Sequence, residues 1–130
     1  MGARRPQPVV LDAGALIAIE RGDDRMTALL AASQSTPVRF LVPAAVVAQV
    51  WRDGARQTRL ARCLKTPQVE VLPLSAEQAR AAGVLCGLTG KRDVVEASVV
   101  IAAREHKAPV VTSDPDDLGA LDPTLELHVL

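Results

Sequence analysis

Five short apolar runs punctuate this chain: VVLD at 9–12, RFLV at 39–42, VEVL at 69–72, APVVT at 108–112 and ELHVL at 126–130. Each is too short to be a stable helix, and helix-patterned segments separate them. Short runs with little polar alternation belong to strands buried on both faces. Strands of that kind alternating with helices predict an α/β fold, with a parallel or mostly parallel central sheet covered on both sides. A chain of 130 residues is expected to form a single domain over 1–130.

The helices are bounded by local signals. ALIAIE follows the first strand as a short helix, and GDD at 22–24 ends it and opens a second helix reaching about Ser33. Proline is tolerated in the first turn of a helix and nowhere deeper, so Pro43 predicts a long helix from about Ala44 to Lys65. Ser75 with Gln78 three residues on predicts a capping box for a helix from 76 to about 88, and a further helix is expected over 93–106.

Composition narrows the function classes. Apolar residues make up 48% and charged residues 23% of the chain, which argues against disorder. The 15 basic and 15 acidic side chains cancel, so any nucleic-acid contact must rest on local basic patches. Trp51 and Phe40 are the only aromatics, which leaves no platform for stacking single-stranded bases; Trp51 is expected to pack or to sit in an interface. No apolar run approaches the ~18 residues of a membrane span. Asp12 and Glu20 interrupt the region after the basic start MGARR, so no export signal is expected, and the protein is placed in the cytoplasm. Gly2 lacks the Ser or Thr at the sixth position that lipidation wants. Cys63 and Cys86 lie in helix-like apolar surroundings and are expected to be buried thiols. His106 and His128 are isolated, with no nucleophile to serve.

The acids are more informative. In an open parallel sheet, ligands bind beyond the carboxyl ends of the strands. The first strand ends at Asp12, wedged between VVL and AGALIA, where an unpaired charge is costly. VVTSDPDDL places Asp114, Asp116 and Asp117 just after a later strand. In TGKRDVVEASVV, Asp93 opens a helix and Glu96 follows one turn later on the same face. Each acid alone is ordinary capping or turn chemistry. Together, Asp12, Asp93 and Asp114, with Glu96 or Asp116, make a set of hard oxygen donors containing no histidine or thiol. Such a set selects Mg2+, with Mn2+ able to substitute. It suits phosphodiester hydrolysis by a metal-activated water. Asp117 is expected to face solvent or cap the short helix after Pro115. Ser113 is placed to hydrogen-bond a metal-bound water or to shape the turn, and Thr112 has the same two uses.

The pattern resembles the PIN domain, and more narrowly the VapC-like ribonuclease toxins of type II toxin–antitoxin systems. VVLDAGALIAIERG is similar to the family's opening strand and helix, with Asp12 its first acid. LVPAAVVAQVWRDG is similar to its second helical segment, TGKRDVVEASVVIAA to the helix carrying the acid Asp93, and VVTSDPDDL to the closing strand carrying Asp114. The resemblance covers nearly the whole chain. It implies a three-layer α/β/α fold and a Mg2+-dependent endoribonuclease, often a homodimer, silenced by an antitoxin whose tail covers the groove. One position departs from the pattern: Gln49 stands in AAVVAQVW where the family usually has a glutamate. Gln can offer an oxygen or hold a ligated water but carries no charge, and Glu96 is positioned to compensate. The alternative is a weakly active or inactive PIN-like module that binds RNA or a partner.

Basic residues complete the expectation. Arg52, Arg56, Arg59 and Arg62 recur along the expected long helix as one continuous face, suited to an RNA backbone or an acidic antitoxin segment. Lys91 and Arg92 adjoin Asp93 and are candidates for substrate phosphates, and Arg21 is expected to border the same groove. Two other acid-dependent folds fit poorly. A phosphoacceptor receiver domain wants paired acids after the first strand, an acceptor aspartate on a middle strand and a late lysine, whereas VEVL and APVVT contain neither. A haloacid dehalogenase-type phosphatase wants an aspartate two residues after the first, where Gly14 stands.

Overall fold

The apolar runs become strands because parallel pairing lets both of their faces be buried. A computed structural model of the chain describes residues 5–130; the reading of Gly2 lies outside the described residues. Chain order is β1 (Gln7–Leu11), α1 (Ala13–Arg21), α2 (Asp24–Ala32), β2 (Val38–Pro43), α3 (Ala44–Val50), α4 (Thr58–Leu64), β3 (Val69–Leu72), α5 (Ala76–Thr89), α6 (Val94–His106), β4 (Val110–Thr112), α7 (Pro115–Leu121) and β5 (Leu127–Val129). The five strands form one sheet in the order β3-β2-β1-β4-β5. Every pairing is parallel, with Val9 opposite Phe40 and Leu11 opposite Val111 in the central registers.

Chain direction explains the three layers. From β1 the chain steps outward to β2 and β3, then returns across the sheet to β4 and β5. Right-handed crossovers in opposite directions place their helices on opposite faces. Accordingly α1 packs on α2, α3 and α4, while α6 packs on α5 and α7. The architecture is α/β/α, as expected. Its core is aliphatic: Val10, Leu11, Phe40, Leu41, Val42 and Val110 are fully buried. Helix α6 is buried without interruption from Ala97 to Ala103, which explains its small and β-branched sequence. Among the described residues, no helix is long and apolar enough to cross a membrane.

The expected single helix from Ala44 to Lys65 is corrected to two short ones, α3 and α4. Trp51 ends α3 in an extended conformation. The buried Gln57 then satisfies the backbone that the helix would have satisfied. Its Oε1 accepts from the N–H groups of Arg52 (2.8 Å) and Asp53 (3.0 Å), and its Nε2 donates to the Val50 carbonyl (2.9 Å) and to Glu20 (3.2 Å). Asp53 accepts from the Ala55 N–H, closing a turn. Gly54 lies so close under the Trp51 indole that a Cβ there would sit 2.8 Å from the ring. The Asp53-Gly54 dipeptide was the local signal for this break.

The break also overturns the continuous arginine face. Arg52 donates to the carbonyls of Ala48 and Trp51 at the end of α3, and Arg56 pairs with Asp53 in the loop. Only Arg59 and Arg62 remain on α4. Elsewhere the local signals hold: Ser75 and Gln78 form the capping box of α5. Cys63 is buried as expected, whereas Cys86 is half-buried, with its thiol 3.9 Å from the Asp93 carbonyl.

Candidate functional site

Because β1 is flanked by β2 on one side and β4 on the other, the chain reverses its direction of travel between β1 and β4. At such a switch point the loops leaving neighbouring strands part, opening a crevice at their carboxyl ends. A cleft of about 740 Å³ lies there. Asp12, Asp93, Glu96 and Asp114 all line it, together with Gln49 and Ser113.

Each acid is held by the element it terminates. Asp12 caps α1, accepting from the Ala15 N–H at 2.9 Å, and is only 5% exposed. Asp93 caps α6, accepting from the Glu96 N–H at 3.0 Å. Asp114 precedes Pro115 at the start of α7 and makes no side-chain cap, which leaves its carboxylate free toward the cleft. The fully buried Thr112 ties two of them together. Its hydroxyl accepts from the Asp114 N–H at 2.8 Å and hydrogen-bonds the Asp12 carboxylate. Gly14 permits the close seating of α1 on this turn, since a Cβ there would collide with the Ser113 hydroxyl.

The electrostatics follow from this crowding. Burial pushes the Asp12 pKa up, hydrogen bonds from Thr112 and Ala15 oppose it, and Asp114 adds to the rise. Glu96 is pushed up to about 7, first by burial and then by the charges of Asp93, Asp117, Asp114 and Asp12. Several carboxylates therefore raise the cost of one another's ionisation, a condition that a cation relieves. Among the described residues, no group of three or more His, Cys, Asp or Glu side chains is gathered tightly enough to hold a metal ion as it stands. In donor type and charge, the oxygen-only set nonetheless fits a hard divalent cation.

Other expected site residues are placed less centrally. Asp116 is exposed and off the cleft lining. Asp117 is exposed as expected, yet its charge reaches Glu96. Lys91 and Arg92 are exposed in the loop before Asp93 and do not line the cleft. Arg21 does border it, and two neighbours that local reasoning missed join it, Asp23 and Arg25. Asp23 caps α2 through the N–H groups of Arg25 and Met26, which sets the first turn of α2 against the cleft. GDD signalled the helix start, but nothing local showed which way that helix would turn. Among the described residues, Arg21 and Arg25 make no ion pair.

The profile of the PIN domain family matches residues 9–122, which span all five acids that line the cleft. The chain belongs to the PIN domain family. Solved structures agree at the level of fold. This PIN domain is similar to VapBC2 from Rickettsia felis bound to a DNA fragment from its promoter, with a TM-score of 0.73 at 17% identity, over 95% of this chain and 99% of that one. A toxin–antitoxin complex from Klebsiella pneumoniae gives 0.70 at 13% identity, over 93% and 96%. VapC20 of Mycobacterium tuberculosis, a toxin cleaving the sarcin–ricin loop, gives 0.64 at 17% identity, over 83% and 91%. No curated protein matches this PIN domain by sequence.

Proposed function

We propose that this PIN domain is a Mg2+-dependent endoribonuclease and the toxin of a toxin–antitoxin pair, acting in the cytoplasm as a homodimer. The observation that carries the reading is the convergence of Asp12, Asp93, Glu96 and Asp114, from three separate segments, on one cleft bordered by Arg21 and Arg25. Support for the antitoxin partner comes from the fold neighbours, one of which is a toxin–antitoxin complex.

Asp12, Asp93 and Asp114 would hold the cation, with Glu96 as the fourth oxygen donor. A bound Mg2+ or Mn2+ supplies charge neutralisation and lowers the pKa of the attacking water. Gln49, on the lining of the same cleft, offers an amide to orient that water, and Ser113 a hydroxyl. Arg21 and Arg25 suit the phosphates flanking the scissile bond; Lys91 and Arg92 suit backbone farther along, and Arg52 and Arg56 a more distant stretch. Thr112 keeps Asp12 and Asp114 in register through its two hydrogen bonds.

The test is cleavage of a mixed structured RNA pool by purified protein freed of any partner, in Mg2+, Mn2+ or EDTA, with Asp12→Asn as control. Metal-dependent cuts that vanish in the control support the nuclease. A second reading, an RNA-binding or partner-binding module, is favoured by Gln49 and by the absence of a tight acid triad among the described residues. Binding of the same RNA without cleavage in any metal would select it.

A further inference from the structure

Two residues on the cleft lining stand at the ends of helices. Arg21 closes α1, and Gln49 is the penultimate residue of α3. Arg21 makes no ion pair among the described residues, so the backbone that carries it decides where its guanidinium can reach. One side chain behind the cleft joins the two backbones. Gln57 is 6% exposed and does not line the cleft. Its Nε2 donates to Glu20 (3.2 Å), the residue before Arg21, and to the carbonyl of Val50 (2.9 Å), the residue after Gln49. Its Oε1 accepts from the N–H groups of Arg52 and Asp53, holding the chain just beyond α3.

We propose that Gln57 is a positioning residue: by tying the end of α1 to the end of α3, it fixes where Arg21 and Gln49 stand across the cleft. The inference rests on the nuclease reading above, in which Arg21 binds a flanking phosphate and Gln49 orients the attacking water. A primary amide carries two donors and an acceptor on one rigid plane, so a single side chain can serve both helix ends. The acids are held separately, Asp12 by the Ala15 N–H and Asp93 by the Glu96 N–H. The clamp therefore bears on substrate and water, not on the cation. A misplacement of about 1 Å between reacting groups can cost about a hundredfold in rate, so a few hydrogen bonds suffice to matter.

The test is steady-state cleavage by the full chain of an RNA that the wild type cuts, at saturating Mg2+, with circular dichroism as a check on folding. Glu20→Ala releases the end of α1 and leaves the other three hydrogen bonds of Gln57 in place. It should raise KM at least about fivefold while kcat stays within about twofold. Gln57→Ala releases both ends and should also lower kcat at least about tenfold. Mg2+ should raise the melting temperature of both variants as much as that of the wild type. Arg104→Ala, which breaks the pair with the buried Asp122 away from the cleft, is the control for lost stability. It should lower kcat only through the folded fraction and leave KM unchanged. A Glu20→Ala enzyme with wild-type KM, or losses in both variants confined to kcat as in the control, would overturn the clamp and leave the nuclease reading intact. A wild type that cuts no RNA would overturn the nuclease reading and this assignment with it.

Discussion

Under the proposed function, Asp12 has two roles that pull its chemistry in different directions. As the cap of α1 it needs only an oxygen for the Ala15 N–H, whereas as a metal donor it needs a charge that burial opposes. Asp12→Asn keeps the first and removes the second. Expected outcomes are lost metal-dependent cleavage and a melting temperature in EDTA that is unchanged or higher. A large drop in melting temperature would mean that the residue serves the fold alone. Glu96 gives the pH prediction. Its folded pKa is raised from 4.5 to about 7, so between those values the folded state binds more proton than the unfolded state does. Stability of the cation-free protein should therefore fall as pH rises through that window and level off above it. Glu96→Gln should remove this component, as read by melting temperature against pH in EDTA; an undiminished slope would contradict the assignment. Gln49 is the third test. Gln49→Glu restores a charge to the cleft lining and should tighten Mg2+ binding about tenfold, as measured by calorimetry.

At the scale of elements, the segment between α3 and α4 depends on one side chain. Gln57 serves four groups, two of them backbone N–H donors and one a backbone carbonyl. Gln57→Ala would leave these unpaired in a mostly buried setting, at a cost of about 2 kcal/mol. Urea denaturation measures it, and a change below about 0.5 kcal/mol, the range of ordinary surface substitutions, would show that water replaces the amide freely. The same segment marks where local reading stops. Helix ends at Asp12, Asp23, Ser75 and Asp93 were legible because a cap and its N–H partners lie within three residues. The break after Val50 was signalled locally only by Asp53-Gly54, and the Gln57 clamp that fixes it was not legible, because Gln57 is anchored partly by Glu20, which is 37 positions away.

For the whole molecule, the sheet order turns scattered acids into one site. A cation that binds only the folded arrangement must stabilise it, by about 2.7 kcal/mol at a hundredfold excess over its dissociation constant. Mg2+ or Mn2+ should accordingly raise the melting temperature of the wild type, and Asp12→Asn should remove the shift. Equal melting curves with and without cation would leave the cleft as an acidic surface with no metal role. The repulsion that lifts Glu96 is also a whole-molecule property, since its sources lie on α6, α7 and the ends of β1 and β4.

By itself, the sequence determined the strands, most helix boundaries, the aliphatic core and the acids at strand and helix ends. Apolar runs, caps and proline rules act over a few residues, and each is written where it operates. Only the tertiary structure decided that β1 and β4 are neighbours, which sets Asp12 beside Asp114. It also decided that α2 turns Asp23 and Arg25 into the cleft, and that Arg52 and Arg56 leave the face of α4. These outcomes depend on which distant elements pack together, and the burial that drives packing is non-directional, so no short stretch of sequence encodes its result.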